Sequence, residues 1–471
     1  MSADPKVAAK LRIADKWMAT QLAHEGVPGA SVAIVHDQQI IWSRGFGHAN
    51  VEARVPATSQ TRYSICSISK LFTSMAAMRE RDAGRLDIDK PIGTYIDWYK
   101  IKDVEKPDGP VTARGIMSHV AGLPREADTP YWTRAEFPDL ASVKSRLAEQ
   151  SNLYRAYDYQ QYSNLGMTLL GEAVASTSRQ GYHDYIRAHF LTPLGLTRTT
   201  SELPERLYGK ELAVGYQARK AGWDRKPFPF YTVNALAPAA GFASTVEDLG
   251  KFASWQFRLL EQGGDTILKS STLREMQRVH WMTPDKPDET WGLGFASFQH
   301  AGKTMIGHGG YCPGYRASLM MRPQDKLAYI VMVNVNDANP GKYARELYDL
   351  TAADIGKAVS AAKAVPTAAT VPAPVTGKQK PDLAIYEGSY STPRYDDDVY
   401  ISAYGDDLLV APLYTASVAK DAEKFRHVSG NLFRRVRADD SLAEELRFDL
   451  DASGRAIRAW HHSNYVDRTG S

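Results

Sequence analysis

From Ala358 to Pro381 the chain is dominated by Ala, Val, Thr, Pro and Lys, with prolines at 366, 372, 374 and 381. A stretch of this kind buries little apolar surface, and each proline removes a backbone donor that a helix or sheet ladder needs. It reads as a linker, and it divides the molecule into unequal parts: residues 1–357, the linker 358–381, and a tail 382–471. The length of 471 residues agrees, since single cores stop growing at about 250–300 residues.

The first part mixes two periodicities. Val7, Leu11, Ala14, Met18 and Leu22 recur at helical spacing, and Ala30–Val35 with Ile40–Trp42 read as two strands around the polar turn 36–39. Ile68, Leu71, Phe72, Met75 and Ala76 predict an amphipathic helix from Ser67 to about Asp82, stopped by Gly84. Helical periods broken by Pro and Gly fill Asp87 to Leu260, as in Leu165–Ala175 and Tyr182–Phe190. Strands return at Gly292–Phe298, Thr304–Gly307, Tyr315–Arg322 and Leu327–Asn334, spaced as an antiparallel meander. Both ends of this part supply strands and its centre supplies helices, an α/β fold of the α+β type. In the tail, Ala384–Tyr390, Val399–Tyr404, Leu408–Leu413, Lys424–His427, Leu432–Val436, Glu445–Leu450 and Ala456–His461 are short runs at regular spacing, which predicts a small all-β barrel.

Several function classes are disfavoured. The 57 basic and 54 acidic residues are interleaved, for a net charge of +3, without the basic stripe that phosphate backbones attract, so no nucleic-acid partner is expected. No apolar run is long enough to span a bilayer, and residues 1–10 lack the apolar core of a signal peptide. As written the chain is expected in the cytoplasm, or in the periplasm if a leader has been removed. His461 and His462 lack cysteine or carboxylate companions at ligand spacing, so no metal and no cofactor is expected.

Chemistry enters with Ser67-Ile68-Ser69-Lys70. Residues three apart on a helix share a face, so the Lys70 amine reaches the Ser67 hydroxyl, which is a poor nucleophile without such a neighbour. At a helix start, free backbone N–H groups also favour negative charge on an alkoxide or an oxyanion. Four residues alone carry little weight. Two further elements add to them: Tyr162-Ser163-Asn164, which sets a phenol and an amide side by side, and His308-Gly309-Gly310, whose glycines let a backbone approach a ligand closely.

Ser-x-x-Lys, then Tyr-x-Asn, then His-x-Gly on a late strand is the signature of the penicillin-recognising serine hydrolases. Over about Lys16 to Asn336 the chain resembles their branch containing class C β-lactamases, carboxylesterases and D-peptidases. His119–Pro124, Pro193–Leu196, Gly241–Thr245 and Gly292–Phe295 support the resemblance. It implies a β-lactamase/transpeptidase-like antiparallel sheet flanked by helices, and the tail looks like the lipocalin-like barrel that some D-peptidases append.

Carried onto this sequence, the resemblance implies Ser67 as nucleophile, Lys70 as its partner, Tyr162 as proton-transfer residue and Asn164 as a ligand of Lys70 and the substrate. Gly309 and Gly310 would line the substrate. The backbone N–H groups of Ser67 and Tyr311 would form the oxyanion hole. His308 stands where the β-lactamases carry lysine, and its ring is a candidate hydrogen-bond partner of the Tyr162 phenol. His119 is read as a structural residue.

Cys66 and Cys312 adjoin Ser67 and the His308 strand, so a bond between them stays open, but two cysteines make no disulfide framework and free thiols are the first expectation. Arg434, Arg435 and Arg437 are read as a solvated strand face, with a substrate carboxylate as the alternative. The expected activity is peptidase-like hydrolysis of a small-molecule or peptide substrate. Carboxylesterase, β-lactamase and acyl-transfer chemistry stay open beside it, as does a non-catalytic penicillin-binding receptor. A homo-oligomer through the tail is a further expectation.

Overall fold

The computed structural model describes residues 4–104, 109–129, 131–220, 224–284, 286–363, 381–392 and 398–470. Most of the linker reading, at 364–380, lies outside the described residues. By proximity the chain forms two compact units, Val27–Ala344, and Met1–Gly26 together with Arg345–Ser471. The opening helix, Pro5–His24, therefore groups with the tail. Among the described residues no helix is long and apolar enough to cross a membrane.

The larger unit is built on one antiparallel sheet of nine strands. Its spatial order is Val55–Pro56, Gln39–Asn50, Gly29–His36, Leu327–Val333, Tyr315–Arg322, Lys303–Cys312, Ala296–His300, Lys286–Trp291 and Trp281–Thr283. The seam between Gly29–His36 and Leu327–Val333 joins the two ends of the unit, pairing Ala30 with Val333 and His36 with Leu327. Both seam strands are buried almost throughout. Their mostly apolar content, rich in Ala, Val and Ile, suits a strand covered on both faces, and the helix Val246–Gln262 packs against them.

Helices Ser69–Asp82, Asn164–Ser178 and Ala237–Ala240 pack on one another and carry a core that includes Leu71, Phe72, Met75, Leu169 and Leu170. Phe72 stacks between Phe242 and Phe252, at centroid distances of 4.9 and 4.5 Å. These contacts hold the N-terminal end of Ser69–Asp82 in place, and that end carries the candidate site.

The mixed fold and the terminal barrel follow the sequence reading, with local differences. Ser67 does not begin an α-helix; it lies in a 3₁₀ turn, Cys66–Ile68, that feeds into one. Gly292–Phe295 turns between strands because Gly294, at φ +85°, takes a conformation open mainly to glycine. The His308 strand is longer than its apolar run, because Gly309 and Gly310 pair with Ser318 and Ala317.

The tail closes into a barrel of eight antiparallel strands, with Asn464–Gly470 pairing back onto Gly388–Ser391. That last strand carries little apolar signal, which is why periodicity finds only seven. Leu383–Tyr386 is a 3₁₀ turn capped by Asp382, so the strand expected from Ala384 starts only at Gly388. Tyr386, Tyr390, Phe425, Phe433, Leu446 and Phe448 fill the interior. In the same unit, helix Pro5–His24 docks through Arg12 Nη2 to Glu387 Oε1 at 2.7 Å and Gln21 Nε2 to the Leu413 carbonyl at 3.0 Å.

Arg434 donates to the Ala443 carbonyl at 2.8 Å, and Arg435 pairs with Glu423 and Glu444, so both serve the barrel's own strands.

Candidate active site

A cleft of about 410 Å³ in the larger unit brings Ser67, Tyr162 and His308 to one wall together with Gly309, Gly310 and Tyr311. Lys70 lies beneath, fully buried. Its Nζ is 3.1 Å from Ser67 Oγ, 2.8 Å from Asn164 Oδ1 and 2.8 Å from the Ala239 carbonyl. Two of these partners are oxygens that can only accept. A neutral Lys70 amine satisfies both with its two hydrogens and turns its lone pair to Ser67.

Burial pushes the Lys70 amine well below the ordinary lysine range; Glu126 pulls the other way and Arg125 adds to the fall. The Tyr162 phenol, hydrogen-bonded to Ser67, is pushed above its ordinary value by loss of water. Arg125 opposes that rise only in part, while Glu126 adds to it.

Tyr162 stands in an aromatic box. His119 lies 4.2 Å from its ring centroid, Trp291 5.9 Å and His308 6.3 Å, and Lys70 Nζ sits 4.8 Å from the ring centre. His119 is thus a wall of the site as well as a turn residue at φ +59°. Its ring accepts from the Ser163 backbone N–H at 3.4 Å.

The expected His308 bond to the phenol is not what the ring makes. Nδ1 is 2.6 Å from the Gly309 carbonyl, an acceptor only, so Nδ1 carries the proton. Nε2 is buried without a partner among the described residues. Burial, then the nearby Lys70, lower His308 to about 3, so it stays neutral at physiological pH.

The free-thiol expectation is overturned: Cys66 and Cys312 form a disulfide, with Cα atoms 5.7 Å apart. The strand and the nucleophile turn are pressed together, which brings the two sulfurs within bonding range. A Cβ on Gly310 would lie 2.3 Å from the Ile65 carbonyl, so only glycine fits there. Cys66 itself holds φ +49°, an uncommon conformation for a non-glycine residue beside a functional serine.

Sequence reasoning missed Glu126. Its Oε1 accepts from Asn164 Nδ2 at 2.6 Å and from Trp132 Nε1 at 2.7 Å. Burial raises its carboxyl above the usual range. The signal available was its place directly after the turn His119–Pro124, already singled out.

The model of the Beta-lactamase family matches residues 14–353, well over half of the chain. The chain belongs to the Beta-lactamase family. Among curated relatives, Protein flp of Staphylococcus aureus (strain MW2) is 21% identical over 323 residues, which is 68% of this chain. The chain spans 62% of that relative's own length.

The octameric penicillin-binding protein homologue from Pyrococcus abyssi superimposes with a TM-score of 0.64 at 22% identity, covering 97% of this chain and 99% of that one. A D-stereospecific amidohydrolase from Streptomyces sp. gives a TM-score of 0.58 at 18% identity, covering 71% and 97%. At these identities the likeness is one of fold.

Proposed function

We propose that this Beta-lactamase-family chain is a serine hydrolase that works through an acyl-enzyme on Ser67, with amide bonds of small or linear peptides as its substrates. The observation that carries the reading is the buried Lys70 amine at 3.1 Å from Ser67 Oγ, with its other two contacts on carbonyl-type oxygens. A lysine whose neutral form is favoured by burial serves as a general base near neutral pH.

Lys70 takes the serine proton as Oγ attacks the substrate carbonyl, and the oxyanion is met by the backbone N–H groups of Ser67 and Tyr311. The Tyr162 phenol, kept protonated, bridges Ser67 to the leaving nitrogen, which departs as an amine once protonated. Water then attacks the ester, with the same groups passing protons back. Asn164, Gly309 and Gly310 bound the substrate.

A neutral His308 supplies no cation where β-lactamases carry lysine, and this supports peptidase chemistry over antibiotic hydrolysis. The relation to a D-stereospecific amidohydrolase supports it as well.

The test is labelling of the protein with a fluorophosphonate, compared with Ser67→Ala. Label above the Ser67→Ala background is expected; its absence overturns the reading. A panel of D- and L-amino-acid anilides, short-chain esters and nitrocefin, ranked by kcat/KM, then assigns the substrate. Anilides at the top support the peptidase reading, and esters at the top replace it with an esterase.

A further inference from the structure

Glu126 has no part in the chemistry above, yet it is bound tightly into the site. It is a largely buried carboxyl whose Oε1 lies 3.6 Å from Arg125 Nε, and its Oε2 has no partner among the described residues. Keeping such a group costs folding free energy, so its geometry calls for a reason.

Both donors it receives converge on Oε1. Trp132 Nε1 comes from the helix Tyr131–Arg134 and Asn164 Nδ2 from the start of Asn164–Ser178. An indole N–H can only donate, so it aims one carboxylate oxygen toward the amide. A side-chain amide is nearly symmetric in shape and, without a partner to distinguish its ends, turns over at little cost. Facing a carboxylate it cannot: only Nδ2 donates, and Oδ1 is left to accept from Lys70 at 2.8 Å.

We propose that Glu126 is a positioning residue of this site, which acts through Asn164: it fixes the amide so that Oδ1 holds Lys70 against Ser67, and it supplies the carboxylate that balances the buried amine. The inference rests on the serine hydrolase reading above. Lys70 is otherwise faced by Ser67 from the turn Cys66–Ile68, Tyr162 just before and Asn164 at the start of the helix Asn164–Ser178, and the Ala239 carbonyl. Arg125, His119 and His308 are the remaining titratable neighbours. Among the groups acting on Lys70, Glu126 is the acidic one, and it favours the protonated amine, against burial and Arg125.

Two substitutions separate the two roles. Glu126→Gln keeps an oxygen for both donors and removes the charge; Glu126→Met removes both. With the charge gone, Lys70 loses its proton more readily, so the acid limb of the kcat/KM profile of Glu126→Gln is expected at lower pH than that of the wild type. Glu126→Met is expected to lose tenfold or more in kcat with KM little changed, and Glu126→Gln to lose clearly less.

The experiment measures pH profiles of the full chain on its best substrate, with folding checked by circular dichroism. An acid limb of Glu126→Gln that coincides with the wild type or moves to higher pH overturns the proposal, and so does wild-type kcat in a folded Glu126→Met. If Glu126→Met does not fold, the limb of Glu126→Gln decides alone. Fluorophosphonate labelling of the wild type keeps the two failures apart. An unlabelled Ser67 ends the hydrolase reading and this inference with it, whereas a labelled Ser67 with unmoved limbs ends this inference only.

Discussion

At the scale of single residues the site is a contest between burial and charge, and Lys70 shows how it resolves. The unfolded chain keeps a lysine protonated up to about 10.4, whereas burial makes the folded chain release that proton at lower pH. Between those two values the folded state binds fewer protons, so stability rises with pH across the window. The stability of the wild type relative to Lys70→Met, measured by urea unfolding, is therefore expected to grow from pH 6 to pH 9. A difference that shrinks over that range would show that the amine is not destabilised by its surroundings. Ser67, Lys70, Tyr162, Asn164 and His308 were legible because each belongs to a short motif whose parts lie within four residues. Glu126 and His119 carried a weaker mark, their place in or just after the turn His119–Pro124, because their partners Asn164 and Tyr162 are 38 and 43 positions away.

At the scale of elements, the junction between the turn Cys66–Ile68 and the strand Lys303–Cys312 decides how the cleft is framed. The cysteines flank the two proposed oxyanion amides, Cys66 before Ser67 and Cys312 after Tyr311. Both are buried, at 0% and 2% exposure. Titration of denatured, unreduced protein is expected to find no thiols, and two after reduction; two thiols without reduction would contradict the bond. The double substitution Cys66→Ser, Cys312→Ser is expected to cost about 2–5 kcal/mol in urea unfolding, because the bond closes a long loop. Spacing along the chain cannot reveal such a bond, as the two cysteines are 246 positions apart. Strand lengths were legible where apolar residues run unbroken, as at Leu327–Val333, and were underread where glycines carry the pairing, as at Gly309 and Gly310.

At the scale of the whole molecule, both compact units owe their closure to strands that meet across long stretches of sequence. In the barrel the aromatic filling makes the interior a core, and Phe433, fully buried against Tyr386 and Phe448, sits at its centre. Phe433→Ala is expected to destabilise the barrel by about 3–5 kcal/mol, read by near-ultraviolet circular dichroism during urea unfolding; a change within error would mean that the interior collapses around the gap. The larger unit has the same dependence on distant partners, since Gly29–His36 is flanked in the sheet by Leu327–Val333. On the ribosome, with synthesis at roughly 5–20 residues per second, that neighbour arrives about 15–60 s after the first hairpin has emerged. For that interval an apolar strand edge has no native partner, and it is a template for pairing with other nascent chains. The seam that gives the finished sheet its buried centre thus makes uncrowded ribosomes and holding chaperones the conditions under which this protein is made in good yield.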